Sequence, residues 1–240
     1  VPPGSSPSLM RQVFSATRKA LDDIGADLVG GHSEVSPAVV QPVVIGQMIG
    51  FSESGRFVTT GGAQPGDVVV QVFPVPIEGA AVLASEAIDG LRGCPVDVVE
   101  AAHRALEDPG LSVVEPALLA AELGANALHD PTEGGLAAAL HELAAAAGVC
   151  VRIDRKAVLW FEPGRAVCEA LGADPWATLA SGSLLATFGG NVADAALARL
   201  GARYPVARIG TVVAGTGVTD DSSAPIPWPA RDEVARILGR

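Results

Sequence analysis

Two short stretches of the 240-residue sequence bring acids, hydroxyls and glycines close enough together to do chemistry. In VGGHSEV, residues 29–35, Gly30 and Gly31 follow an apolar run, and His32, Ser33 and Glu34 supply an imidazole, a hydroxyl and a carboxylate in succession. Lacking side chains, the glycines let the backbone pass close to a ligand or adopt positive φ. In an extended chain His32 and Glu34 share a face. That set suits a hard cation or a nucleotide contact through Glu34, with His32 as neutral donor or acceptor. It reads equally as a tight turn with a polar tip.

In LHDPTEGGL, residues 128–136, Asp130 leaves a short apolar run, Pro131 stiffens the exit, and Thr132 offers a hydroxyl. Gly134 and Gly135 then permit a turn into a helix. Free amides at a helix start attract an anion. Asp130 and Glu133 would repel a bare phosphate, so a phosphate here calls for a bridging magnesium ion on hard oxygen ligands. The plain alternative is an Asx or N-cap turn. His129 precedes Asp130 but faces the other way on a strand, which argues against a relay between them.

Elsewhere the chemistry is thinner. His103 and His141 fall on helical runs without an HExxH arrangement, and both read as surface or interface residues. Neither Ser36 nor Ser183 has a nucleophile-elbow context, and no P-loop or strand-led GxGxxG is present. Cys94, Cys150 and Cys168 are too widely spaced for a zinc site or a redox dithiol, which leaves three reduced thiols.

The elements that must carry these loops follow from periodicity and turn residues. Apolar Leu9, Val13, Leu21 and Ile24 predict a helix capped by Ser6 or Ser8 and stopped at Gly25. ADLVGG, VVIGQMIGF, RFVTTGG and DVVVQVF read as strands or strand-like segments, and Ile77–Ala87 as an alanine-rich helix. From Cys94 onward, VDVVEAAHRALE and EPALLAAELG predict helices, NALHD a brief strand, and LAAALHELAAAAG a helix. VCVRID, SLLATF and ARIGTVV read as strands alternating with the helices GRAVCEALG and NVADAALARLG. The alternation predicts an α/β or α+β layer architecture divided near residues 90–94, with 219–240 a tail holding one short helix.

Composition narrows the class of function. With 49% apolar residues the chain is no disordered polymer. A balance of 27 acids against 16 bases, with no Lys/Arg run, argues against a nucleic-acid partner. Only Lys19 and Lys156 are lysines, so magnesium suits phosphate neutralisation better than an amine clamp. No apolar run is long enough to span a bilayer, and VPPGSSPSLMRQ is unlike a signal peptide. The expectation is a cytoplasmic protein with no membrane partner.

Taken together, PPGSSP, LVGGHSEV, PVVIGQMIGF, GAQPGDVVV, IEGAAVLASE, HDPTEGGLAAALHELAAAAG and GRAVCEALG resemble the aminoimidazole ribonucleotide (AIR) synthase superfamily. The likeness is nearest to its hydrogenase expression/formation branch. The resemblance implies a two-domain AIR-synthase-like architecture with a truncated first domain. Residues 1–93 would be the latter half of that domain, 94–218 the C-terminal α/β domain, and 219–240 the tail. It also implies ATP and Mg2+ as cofactors. Gly30, Gly31, His32, Ser33 and Glu34 would form one nucleotide and metal loop, and Asp130, Thr132, Gly134 and Gly135 the other, with Glu34 and Asp130 as catalytic and metal-binding carboxylates.

Ser181 and Gly182 resemble a further segment of the superfamily, while Ser183 departs from it. The superfamily's upstream aspartates and Asn-Asp pair have no counterpart here, nor has the cysteine-terminated tail of the hydrogenase branch, since the sequence closes on ARILGR. The expectation is therefore an ATP-binding protein whose phosphoryl transfer to a substrate oxygen is impaired. A homodimer with PVVIGQMIGF near its interface and a hydrogenase-maturation partner would accompany it. A scaffold module and a purine-biosynthesis-like ligase or cyclase are the alternatives.

Overall fold

The structure is a computed structural model that describes residues 1–52, 55 and 57–239. The chain divides into two compact units, residues 1–56 and 57–240. The division lies upstream of the 90–94 boundary expected from the sequence, because the strand at 68–72 is the centre of the second unit's sheet rather than part of the first unit.

In the first unit, α1 (Pro7–Asp23) begins where Ser6 Oγ accepts the Leu9 N–H at 3.1 Å and Pro7 occupies the first turn. Pro is tolerated there because its missing N–H has no helical partner in any case. The strands expected at ADLVGG and VVIGQMIGF do not form among the described residues. Apolar β-type sequence becomes a strand only when a neighbour completes its ladder. Val40, Ile45 and Phe51 are instead 95, 90 and 95% exposed.

The second unit is built on a six-stranded sheet. Its elements are β1 (Val68–Val72), α2 (Glu78–Glu86), α3 (Val96–His103), α4 (Val114–Glu122), β2 (Ala127–His129), α5 (Gly135–Ala147) and β3 (Cys150–Ile153). There follow α6 (Glu162–Leu171), β4 (Leu184–Phe188), α7 (Gly190–Gly201), β5 (Val206–Val213), β6 (Gly217–Asp220) and α8 (Glu233–Ile237). The RFVTTGG run forms a 3-10 turn at Thr60–Gly62; its first residue, Arg56, lies outside the described residues.

Strand order is β2-β4-β1-β5-β3-β6, antiparallel throughout except for the parallel β3–β6 pair. Because side chains alternate along a strand, Val68, Val70 and Val72 of β1 pack with α4 and α7, while Val69 faces α5. Both faces of β1 are thus dry. Gln71, fully buried, is tolerated because its amide donates to the Phe73 and Leu159 carbonyls and accepts the Leu159 N–H, each at 3.0 Å. A third cluster joins α2, α3 and α6 around Leu83, Leu91, Ala102 and Val167.

The cysteines are free, Cys150 and Cys168 buried and Cys94 half-buried. Burial pushes the Cys168 thiol up to about 11, which makes it inert. Among the described residues no helix is long and apolar enough to cross a membrane.

Candidate functional site

The first predicted loop lines a cleft inside the first unit. Gly30, Gly31, His32, Ser33 and Glu34 face Met10, Val13 and Phe14, the apolar side of α1, across a volume of about 550 Å³. Nothing approaches within 4 Å of a Cβ built on Gly30 or Gly31, so here the glycines leave open space. The Glu34 carbonyl accepts from the Val1 ammonium at 2.8 Å, while the Glu34 carboxylate has no hydrogen-bond or ion-pair partner among the described residues.

The second loop sits in the second unit, between edge strand β2 and the start of α5. Asp130 is exposed, and its carboxylate likewise has no partner among the described residues. Each carboxylate, within its own unit, fits a hard divalent cation by donor type. No group of three or more His, Cys, Asp or Glu forms a ready-made metal cage among the described residues.

The glycines of this loop answer to the protein's own packing. Gly134 has φ +76° and Gly135 φ +64°, left-handed values that favour glycine. A Cβ on Gly135 would stand 2.6 Å from the Thr178 carbonyl oxygen and 2.7 Å from that of Trp176. Three of the amides at the head of α5 are also spoken for. Gly134 N–H donates to Asp232 Oδ2 at 2.7 Å, Gly135 N–H to the Thr132 carbonyl at 3.0 Å, and Ala137 N–H to the Trp176 carbonyl at 2.9 Å. The acids therefore fit a magnesium-bound phosphate, whereas the helix start, as arranged here, offers no free Gly134 amide.

Asp232 was invisible to local reading. Its Asp-Glu-Val spacing signals a helix cap, which it is, accepting Val234 N–H at 2.8 Å, but not the contact with a loop about a hundred positions earlier. Burial raises its carboxyl above the ordinary value, the Gly134, Val234 and Ala235 amides partly oppose this, and Glu133 adds repulsion.

His129 was expected to avoid Asp130, and it does: its Nε2 meets Glu142 Oε2 at 2.7 Å, with Thr60 Oγ1 3.3 Å from Nδ1. The pair ties β2 to α5 behind the loop. Ser183 is a buried structural hydroxyl that donates to the Val72 and Phe73 carbonyls. A further polar groove, about 500 Å³, opens where Asp67 holds the Asn126 amide at 2.9 and 3.1 Å, near Gly189 and Asn191.

Comparison with known proteins places this arrangement. Residues 64–221, from the PGD turn through β6, match the C-terminal domain of AIR synthase related protein. The chain belongs to the AIR synthase-related family. The matched span includes the Asp130–Gly135 loop and ends before the segment that carries Asp232.

Among curated relatives, the carbamoyl dehydratase HypE of Azotobacter vinelandii is 32% identical over 200 residues, covering 79% of this chain and 55% of the relative. The chain thus spans little more than half of that protein's length. Among solved structures, the hydrogenase maturation protein HypE of E. coli superposes with a TM-score of 0.76 at 23% identity, covering 99% of this chain and 73% of that one. A HypE structure in complex with ATP superposes with a TM-score of 0.68 at 21% identity, covering 99% and 72%. At these identities the structural likeness is one of fold. It gives the AIR synthase-related family's mixed α/β layering to this chain.

Proposed function

We propose that the chain is the nucleotide-handling part of an ATP-using protein of the hydrogenase-maturation kind, one that activates a substrate oxygen by phosphoryl transfer. The observation that carries this reading is the Asp130 carboxylate, without a partner among the described residues, at the mouth of a glycine turn inside the span that matches the family. When bound, magnesium and ATP supply an electrophilic phosphoryl group whose charge the metal disperses. Asp130 would hold the metal in the second unit, and Glu34 is the carboxylate of the first unit's own cleft. Thr132, whose hydroxyl has no partner among the described residues, would orient a phosphate oxygen. Gly30, Gly31, His32 and Ser33 form the nucleotide-facing rim of their own cleft.

The solved HypE–ATP complex supports nucleotide binding in a protein of this fold, and the solved HypE–HypF complex, with HypE described as a hydrogenase maturation protein, supports a partner of that kind. A homodimer is part of the same reading, with the exposed apolar residues 43–51 near its interface.

Calorimetry with Mg-ATP beside a phosphate-release assay tests the reading. Saturable binding that requires magnesium is expected. Absence of binding at millimolar nucleotide would favour a scaffold module, and release of phosphate only in the presence of an amidine-forming substrate would favour the purine-like ligase or cyclase.

A further inference from the structure

The two faces of the sheet are covered unequally. On one, α5 lies over Val151 and Ile153 of β3, Val212 of β5 and Val218 of β6. On the other, the cluster built by α4 and α7 takes in residues of β1 and β4 and Val206 at the start of β5, but none of β3 or β6. Beyond Val206 this outer face is carried by the residues that alternate with the buried ones.

Register puts three of them in one row. Arg152 stands directly opposite Thr211 of β5 on one side and Thr219 of β6 on the other. Residues so paired share a face, about 5 Å apart from strand to strand. Arg152 and Thr211 are exposed and Thr219 is half-buried. Across roughly 10 Å of sheet the row therefore sets a guanidinium, with its fork of N–H donors, between two hydroxyls. None of the three side chains has a hydrogen-bond or ion-pair partner among the described residues.

The charge here departs from that of the molecule. In a chain of net charge −11, residues 152–156 hold Arg152, Arg155 and Lys156 against the single acid Asp154. Three carboxylates of the neighbouring segments are engaged locally. Asp154 Oδ1 accepts Lys156 N–H at 2.9 Å, Asp220 Oδ2 accepts from Arg155 Nε at 3.0 Å, and Asp194 Oδ1 from Arg208 Nη2 at 2.6 Å. Arg208 of β5 is thereby taken up by α7, whereas Arg152 is left to solvent.

The edge beside the row is closed. Ile226 N–H donates to the Val218 carbonyl at 3.0 Å and Asp220 N–H to the Ala224 carbonyl at 2.8 Å, so a partner would lie across the face, held by side chains, rather than add a strand to β6. On an open face one small anion keeps most of its water. An extended segment with several carboxylates engages Arg152, the hydroxyls and Lys156 together, and each contact raises the effective concentration for the next.

We propose that the outer face of β5, β3 and β6 is a docking surface for a protein partner that presents an acidic segment, with Arg152 as its anchor between Thr211 and Thr219. The guanidinium takes one carboxylate bidentately, and the threonine hydroxyls donate to its neighbours. The negative charge of the rest of the molecule confines such a segment to this row.

The test is a titration of the chain with a hexaglutamate peptide, followed by backbone amide resonances, beside hexaglutamine and inorganic phosphate. Hexaglutamate should bind saturably, with the largest shifts at residues 151–153, 210–212 and 218–220, and should lose affinity as salt screens the contact. Arg152→Gln should weaken binding about tenfold, the weight of one hydrogen bond to a charged group, and Thr219→Val by a smaller factor. Arg92→Gln removes the same charge from an exposed residue paired with Asp89 and should leave binding unchanged. Equal losses from Arg152→Gln and Arg92→Gln would reduce the effect to net charge and overturn the surface. The same shifts from phosphate at the same concentration would make the row a small-anion site, and the same shifts from hexaglutamine would remove the role of charge. Either result overturns the proposal, as does the absence of shifts at millimolar hexaglutamate.

Discussion

Asp220 shows how much a single carboxylate organises at the exit of the sheet. Its Oδ1 accepts from Ser222 Oγ at 2.6 Å and from the Ser222 and Ala224 amides at 3.0 Å, while Arg155 Nε reaches Oδ2 at 3.0 Å. These donors, the Ser222 hydroxyl foremost, hold the carboxyl down to about 2 against burial. A depressed pKa gives stability that is present above the ordinary value of 3.8 and is lost as pH falls through about 2. Acid titration followed by circular dichroism should therefore show the turn that follows β6 giving way between those limits. Asp220→Ala should remove that part of the acid limb and lower stability at neutral pH; an unchanged acid limb would contradict the role. The sequence exposed residues of this kind unevenly. Asp130 and Glu34 were readable because glycines beside acids are a local signal. Asp232, Glu142 and the Asp67–Asn126 pair act through partners 98, 13 and 59 positions away, and no local pattern encodes such distances.

At the scale of elements, the helices and core strands were legible because burial imposes a period. α5 reads from its Ala/Leu run and ends at Gly148, which adopts φ +66°, and β1 reads from an apolar run that the structure buries on both faces. β6 went unread, since GVTD has too little pattern and becomes a strand by pairing with β3. ADLVGG and VVIGQMIGF failed in the opposite sense: the pattern is there, and the ladder partner is not among the described residues. The turn between β2 and α5 is the element on which the site depends. Gly135→Ala would meet both a left-handed φ and a backbone oxygen at 2.6 Å. It should cost about 2 kcal/mol, lowering the melting temperature by roughly 4–8 °C in a chain of this size. A melting temperature within one degree of the unmodified chain would show that the 176–178 segment yields easily. Gly30→Ala, with open space around it, should change stability little.

For the whole molecule, the acidic balance and the apolar exposure of the first unit act together. A net charge of −11 favours keeping copies apart, and the exposed Ile45, Met48, Ile49 and Phe51 are the apolar surface that would draw them together. Sedimentation should therefore find a dimer or larger species whose association strengthens with added salt as the repulsion is screened. A monomer at tens of micromolar in both low and high salt would contradict this. The central claim, that the Asp130–Gly135 loop is where nucleotide is handled, is tested most directly by following backbone amide resonances during a Mg-ATP titration of the 24.2 kDa chain. The largest shifts are expected at residues 130–137 and at Asp232, which hydrogen-bonds to Gly134. Asp130→Asn should weaken the response about tenfold with magnesium present and much less without it, and His103→Ala should leave it unchanged. Shifts centred on α3 near His103, or equal losses from the two substitutions, would place the site elsewhere and contradict nucleotide handling at this loop.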